Sequence, residues 1–239
     1  MFKTTRALVL REVKYKEADK ILTVLTEDDG KMTVKARGAL RKSCRYGAAA
    51  QALCYSEMTL FGNQGKWSIN EAETIEQFLP LRADLEKLSL GTYFAEALEA
   101  VSDEDSPDRA LLQLGLNSLY ALSVGLYPQE HIKAVFELRL LCLSGFTPDL
   151  DGDGELFSLN GGHLHPRGSP PGTPGVSLPV GAAARQAMRY IVSADAKKIF
   201  SFEIPPEAEQ QLRGVCEAYM AAQLERGFST LDYWKSLRI

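Results

Sequence analysis

The sequence predicts an α+β chain in two parts: an amino-terminal five-stranded β-barrel of the OB type over residues 1–79, then an all-α helical domain over residues 80–239. A long irregular loop at residues 146–180 interrupts the second part. Three observations predict this. Runs rich in β-branched and apolar residues, separated by turn residues, fill the first eighty positions. From Leu79 onward the apolar residues switch to helical spacing. The segment from Phe146 to Val180, with "RGSPPGTPGVSLP" inside it, fits neither period.

The elements follow in order. "TTRALVLREVKY" is strand-like and carries no helix-start signal. "KILTVLTEDDGKMTVKARG" holds two strand runs around Asp28, Asp29 and Gly30, and an Asp-Gly reversal between such runs marks a hairpin because these residues tolerate positive φ. "ALCYSEMTLFG" and "WSINEAETIEQF" supply the last two strands, and five strands so spaced suit a small barrel that commonly binds nucleic acid on one face. A helix begins at Pro80, where a missing N–H costs nothing, and runs through "PLRADLEKLSLGTYFAEALEAV". Further helices are expected at Pro107–Val124, Pro128–Ser144, Gly181–Ser193, Pro205–Glu225 and Leu231–Leu237, the second of these stopped by Gly145 and Pro148.

Composition narrows the class. A chain of 239 residues with 45% hydrophobic and 24% charged residues is an ordinary globular protein, which excludes disorder and a coiled coil. No apolar run is long enough to span a bilayer, and the first residues lack the pattern of a secretory signal, so a cytoplasmic protein without membrane attachment is expected. Cys44, Cys54, Cys142 and Cys216 are scattered without CxxC spacing, as reduced thiols are. Cys142 and Cys216 sit in apolar helical patterns and read as core packing.

The net charge of −4 conceals a division. Residues 1–50 carry 12 Lys or Arg against 6 Asp or Glu, leaving 15 against 25 in the remainder. Such asymmetry points to a polyanion partner for the first part. Its centre is "KMTVKARGALRKSCRYG", Lys31 to Gly47, with Lys31, Lys35, Arg37, Arg41, Lys42 and Arg45 and no acid. Lys31, Lys35 and Arg37 share strand parity and project to one face; Arg41, Lys42 and Arg45 belong to a flexible segment after it. Arg6, Arg11, Lys14 and Lys16 extend the same surface if the strands are neighbours. Cations so arrayed fit a phosphate backbone, with binding that weakens steeply as salt rises. Tyr15, Tyr46, Phe61 and Trp67 lie near the charges as candidate stacking platforms, although Phe61 and Trp67 read more simply as barrel core.

Catalytic chemistry finds little support. No G-x-x-x-x-G-K-[ST], G-x-S-x-G, CxxC or H-E-x-x-H motif occurs. His131, on a helix with Lys133 and Arg139, reads as a partly exposed residue without a catalytic partner. Asp149, Asp151, Asp153 and Gly154 reproduce the first half of a D-x-D-x-D-G calcium loop, but the twelfth ligand position falls on Asn160. His163 and His165 follow with no cysteine to complete a zinc set, so the stretch reads as a solvated acidic turn. A rival reading is a metal-dependent nuclease using these aspartates and histidines, and another is an OB-fold module for RNA. The first needs carboxylates on rigid elements, whereas these lie in a glycine-rich loop.

The opening "ALVLREVKYKEADKILTVLTEDDGKMTVKARGAL" resembles the start of the bacterial RecO recombination mediators, with Tyr15, Glu17, Asp19, Ile21, Thr23, Thr26, Gly30, Lys35 and Gly38 in the family's framework. "FELRLLCLSGFTPDLDGDG" looks like that family's helix leading into its loop, and "LFSLNGG" like the strand and turn that follow. The resemblance implies an OB-fold followed by a helical domain, with a role in DNA repair and recombination. It implies binding of single- and double-stranded DNA and annealing of complementary strands, without enzymatic activity or a cofactor. Implied partners are RecR, RecA, often RecF, and the acidic carboxy-terminal tail of single-stranded DNA-binding protein; a location at the nucleoid follows. The DNA role falls on the ten cations above, and the tail-binding candidates are His131, Lys133 and Arg139. Many members carry two CxxC pairs in the loop as a zinc site. Here the second pair lands on His165 and Gly168 and the first near Asp153, which implies a degenerate zinc-finger region without metal, ordered by packing of Phe146, Leu150, Leu156 and Phe157.

Overall fold

The structure is a computed structural model, which describes residues 1–166 and 176–238. Five strands come first: β1 (Phe2–Tyr15), β2 (Asp19–Thr26), β3 (Gly30–Ala36), β4 (Tyr55–Asn63) and β5 (Lys66–Glu76). Helices α1 (Leu79–Arg82), α2 (Leu85–Val101), α3 (Arg109–Val124) and α4 (Gln129–Leu143) follow. Three short strands, β6 (Leu156–Ser158), β7 (His163–Leu164) and β8 (Ser177–Pro179), precede α5 (Ala182–Ser193), α6 (Pro206–Leu224) and α7 (Ser229–Ser236). The chain forms two compact units: Met1–Val124 together with the described residues from Phe228 onward, and Gly125–Gly227. Among the described residues no helix is long and apolar enough to cross a membrane.

In the first unit the five strands close into a barrel in the order β1-β2-β3-β5-β4. Neighbours are antiparallel except β3 and β5, which pair in parallel at Val34↔Trp67 and Lys35↔Ser68. Alternation drives closure: Ala7, Val9, Leu22, Val24, Met32, Val34, Met58 and Leu60 point inward and form one core. A bulge leaves Leu10 outside the ladder, since Val9 pairs with Val24 and Arg11 with Thr23. Residues Ala7 to Leu10 are all buried, because the outer face of β1 is covered by helices. There Gly115 of α3 lets Leu98 of α2 and Leu8 of β1 approach closely; a Cβ at 115 would sit 2.7 Å from Leu98 and 3.5 Å from Leu8. Full burial of leucines such as these stabilises the unit by about 1.5–3 kcal/mol each.

The expected hairpin joins β2 to β3. Thr26 closes it, donating from Oγ1 to the Gly30 carbonyl at 2.9 Å and accepting from the Asp29 N–H at 3.0 Å. Gly30 has φ +66°, and a Cβ there would lie 2.3 Å from the Ser106 carbonyl oxygen. Both the left-handed backbone and the close approach therefore demand glycine. Gly30→Ala is expected to destabilise the unit by at least about 2 kcal/mol, read as a lowered midpoint in denaturant unfolding.

The helices stand where periodicity placed them, with one difference. The run from Pro80 is two helices: the first closes at its C-cap Ala83, and Asp84, in extended backbone, caps the next, its Oδ1 accepting from the Lys87 N–H at 3.1 Å. In the second unit α4 packs against α5 and α6. It is buried almost all round, from His131 to Leu138 and again at Leu140 and Leu141. Within the segment expected to be irregular, the strand and turn that the resemblance implied at Leu156–Gly162 belong to a small three-stranded sheet in the order β7-β6-β8. Strands of 3, 2 and 3 residues are too short for a period-two pattern to register.

Candidate nucleic-acid interface

The structure divides the ten predicted cations into two sets. In one set the side chains are engaged within the protein. Arg11 makes a forked contact with the Glu99 carboxylate of α2, Nε to Oε2 at 3.0 Å and Nη2 to Oε1 at 2.8 Å, and Glu99 raises its pKa. Lys31 donates to the Glu99 carbonyl at 2.9 Å, so both cations staple the barrel to the last turn of α2. Lys35 pairs with Asp19 at 2.9 Å, and Arg6 lies 3.7 Å from Glu57.

The other set is Lys14, Lys16, Arg37, Arg41, Lys42 and Arg45. All six are exposed and make no ion pair or side-chain hydrogen bond among the described residues. Arg41, Lys42 and Arg45 follow β3 in the segment expected to be flexible, and Arg37, expected on the strand face with Lys31 and Lys35, joins them because β3 ends at Ala36. The segment is instead a chain of turns, with Arg41 N–H donating to the Gly38 carbonyl, Cys44 N–H to that of Arg41 and Ala50 N–H to that of Tyr46. Ala39, Ala49 and Ala50 are buried beneath it, which anchors the turns to the barrel.

Asp19 ties this segment to the β1–β2 turn. Its Oδ1 accepts from the Gly38 N–H at 2.8 Å, and its Oδ2 holds Lys35. The Gly38 hydrogen bond first, then Lys35, keeps the Asp19 carboxyl below its ordinary pKa. Leu40 N–H donates to the Ala18 carbonyl, so Lys14, Tyr15 and Lys16 stand at the same end of the barrel as the arginines. Tyr15 is exposed, with the Lys35 and Lys16 ammonium groups 5.1 and 5.5 Å from its ring centre.

A groove of about 420 Å3 runs through this end, lined by Arg37, Arg41, Cys44, Arg45, Tyr46 and, from β5, Asn70 and Glu71 among others. Tyr46 is half-buried against the barrel core and donates to the Arg37 carbonyl at 2.6 Å. Burial, then the nearby Cys44 and Asp19, raise its pKa, so it stays a neutral phenol. Trp67 packs partly against the core as expected. Phe61 does not: it is exposed beside Phe2, ring centres 5.1 Å apart, because its position in β4 faces outward. Asn70 and Glu71 were not singled out by sequence reading. A bulge in β5 is the reason, and nothing in composition announces it.

The tail-binding candidates are engaged inside the second unit. His131, read as partly exposed, is 5% exposed, its ring nitrogens 3.2 Å from Glu209 Oε2 and 3.2 Å from the Phe200 carbonyl. Lys133 is 4% exposed and lies 2.8 Å from Glu137 and 2.7 Å from Glu217. Arg139 donates to the Ile191 and Val192 carbonyls at 3.1 and 2.6 Å. These cations serve the packing of a central helix, whose polar groups need internal partners once every side is covered.

The acidic loop is held by guanidinium groups. Arg189 of α5 donates to the Leu150 and Gly152 carbonyls at 2.5 and 2.7 Å, and Arg185 to the Gly154 carbonyl at 2.6 Å. Asp149 closes an Asx turn, its Oδ1 accepting from the Asp151 N–H at 3.0 Å. His165 is buried, with Nε2 2.8 Å from Ser177 Oγ, and His163 stacks edge-on against it. Among the described residues no three His, Cys, Asp or Glu converge on a common point that would hold a metal. Leu150 and Phe157 are buried as expected, whereas Leu156 is exposed and Phe146 only half-buried. The two arginines take over much of that ordering role. Gly168 lies outside the described residues.

A closed five-stranded barrel, with arginines at one end that are unpaired among the described residues, followed by helices, defines the molecule as an OB-type barrel protein with an appended helical region. Residues 1–78 match the family model described as "Recombination protein O N terminal", and residues 82–232 match "Recombination protein O C terminal". The chain belongs to the RecO family. It is 35% identical to the DNA repair protein RecO of Acetivibrio thermocellus, over 98% of this chain and 96% of that one. It is 28% identical to the DNA repair protein RecO of Symbiobacterium thermophilum over 97% and 96%, and 33% identical to that of Exiguobacterium sibiricum over 92% and 91%.

Proposed function

We propose that this protein is a DNA repair and recombination mediator that grips the sugar-phosphate backbones of single- and double-stranded DNA at the arginine-bearing end of its barrel and anneals complementary strands. The observation that carries this reading is the set of six exposed cations, free of ion pairs among the described residues, gathered at one end of a barrel in a chain of net charge −4. Neutralising two backbones lets strands approach while the base edges outside the groove stay free to pair, and no bond is broken. The family supports action with RecR, and often RecF, in loading RecA onto strands coated by single-stranded DNA-binding protein.

His131, Lys133 and Arg139 are committed to partners inside the second unit, so the acidic tail of that protein is not assigned to them. Fluorescence annealing of complementary strands coated with the cognate single-strand-binding protein tests the function. The protein should accelerate annealing with magnesium and with chelator, leaving both strands at full length. No acceleration, or magnesium-dependent shortening of the strands, would reject it.

A further inference from the structure

The groove at the barrel end has two unlike walls. One carries Arg37, Arg41 and Arg45; the other carries Asn70 and Glu71 of β5. A site that met only phosphates would not carry a carboxylate, since Glu71 repels a second anion. It carries one because β5 is bulged there. Leu60 pairs with Ile69 and Thr59 with Glu71, so Asn70 has no partner in the ladder. Alternation is broken as a result: Ser68 and Ile69 are both buried, while Asn70 and Glu71 are both exposed. Bulges re-aim side chains in this way, and here two consecutive hydrogen-bonding groups are turned to the surface facing the arginines. Glu71 makes no ion pair with them among the described residues. The groove's volume of about 420 Å3 falls in the range of roughly 300–1,000 Å3 typical of small-ligand sites.

We infer that the groove takes one nucleotide of a single strand, its phosphate against Arg37, Arg41 and Arg45 and its base edge against Asn70 and Glu71, so that bases presenting an exocyclic amino group are preferred. The inference rests on the DNA-binding reading above and deepens it. A carboxylate accepts from the cytosine 4-amino group, whereas thymine places a carbonyl oxygen at that position. The two bases are nearly the same size but differ also at N3 and in the thymine C5 methyl, so loss of the preference in a Glu71 variant is what isolates this contact. Only an unpaired base can reach such a groove, which makes the preference a property of single strands.

Fluorescence anisotropy with labelled dC and dT oligomers of equal length tests it, on the full chain and on its Glu71→Ala variant. The dC strand should bind about fivefold to tenfold more tightly, the effect of one such contact. Glu71→Ala should bring the two within about twofold without weakening dT. Equal affinities for dC and dT, both falling steeply with salt, would overturn base recognition and leave the backbone reading standing. Binding of neither strand at low salt would instead reject the DNA reading itself. A preference unchanged in Glu71→Ala would overturn the assignment of Glu71. Free dCMP displacing the labelled strand as well as the same nucleotide within a strand would make the occupant a free nucleotide and overturn the strand assignment.

Discussion

Reversing Arg37, Arg41 and Arg45 together to glutamate lowers the affinity for single-stranded DNA by roughly two to three orders of magnitude at about 0.1 M salt, and annealing falls with it. Each lost phosphate contact removes the release of condensed counterions, and each new carboxylate repels the backbone. The slope of log affinity against log salt should flatten by about 2, from about 0.7 for each of three contacts. Thermal unfolding should hardly move, because these side chains are exposed and bond to nothing among the described residues. Lys35 and Arg11 make poorer targets. Lys35 is held by Asp19, which also anchors the arginine segment through Gly38, and Arg11 is forked onto Glu99. Reversing either would disturb the barrel and confound the reading. Equal affinity for wild type and the triple variant would move the DNA site away from this end.

Replacing Lys133 by methionine destabilises the second unit by about 3–5 kcal/mol, the usual cost of removing one member of a buried ionic cluster. Lys133 lies between Glu137, which is 0% exposed, and Glu217. Burial alone would lower its pKa, but the charges of Glu137 and then Glu217 outweigh burial and raise it. A folded-state pKa above the ordinary 10.5 means that this stabilisation is full at neutral pH and is lost only as pH rises through the alkaline range. The double variant Lys133→Met with Glu137→Leu should recover much of the loss, since an apolar pair of similar volume leaves no fully buried charge, Glu217 being partly exposed. Denaturant unfolding checks both. A Lys133→Met protein of wild-type stability would mean that the ammonium is free to serve a partner after all.

The barrel was legible because its strands alternate and its turns carry Asp, Gly and Asn, signals that local chemistry writes directly into the chain. The cationic segment was legible for the same reason, as Lys31 to Gly47 holds six cations and no acid. What could not be read was which cations are spoken for. The partners of Arg11 and Lys31 lie at Glu99, far along the sequence, and only the closing of the barrel against α2 brings them together. The burial of His131 and Lys133 had a signal that was available: "HIKAVFELRLLCL" has apolar residues on every side, the mark of a central helix rather than a half-exposed one. The acidic loop misled differently. Its alternating aspartates invite a cation, and the cations that come are guanidinium groups of α5, which occupy the carbonyl oxygens of Leu150, Gly152 and Gly154. The bulge at Asn70 leaves no trace in composition, so the second wall of the groove appears only in three dimensions.

The most direct measurement is the reactivity of Cys44, which lines the groove among the arginines. Cys54 and Cys216 are buried, and burial pushes the Cys142 thiol up to about 11, so Cys44 should react first with a thiol reagent near neutral pH. Saturating single-stranded DNA is expected to slow that reaction severalfold while leaving the other three thiols as they were. Labelling of Cys44 at one unchanged rate, with and without bound DNA, would contradict the placement of the strand at this end of the barrel.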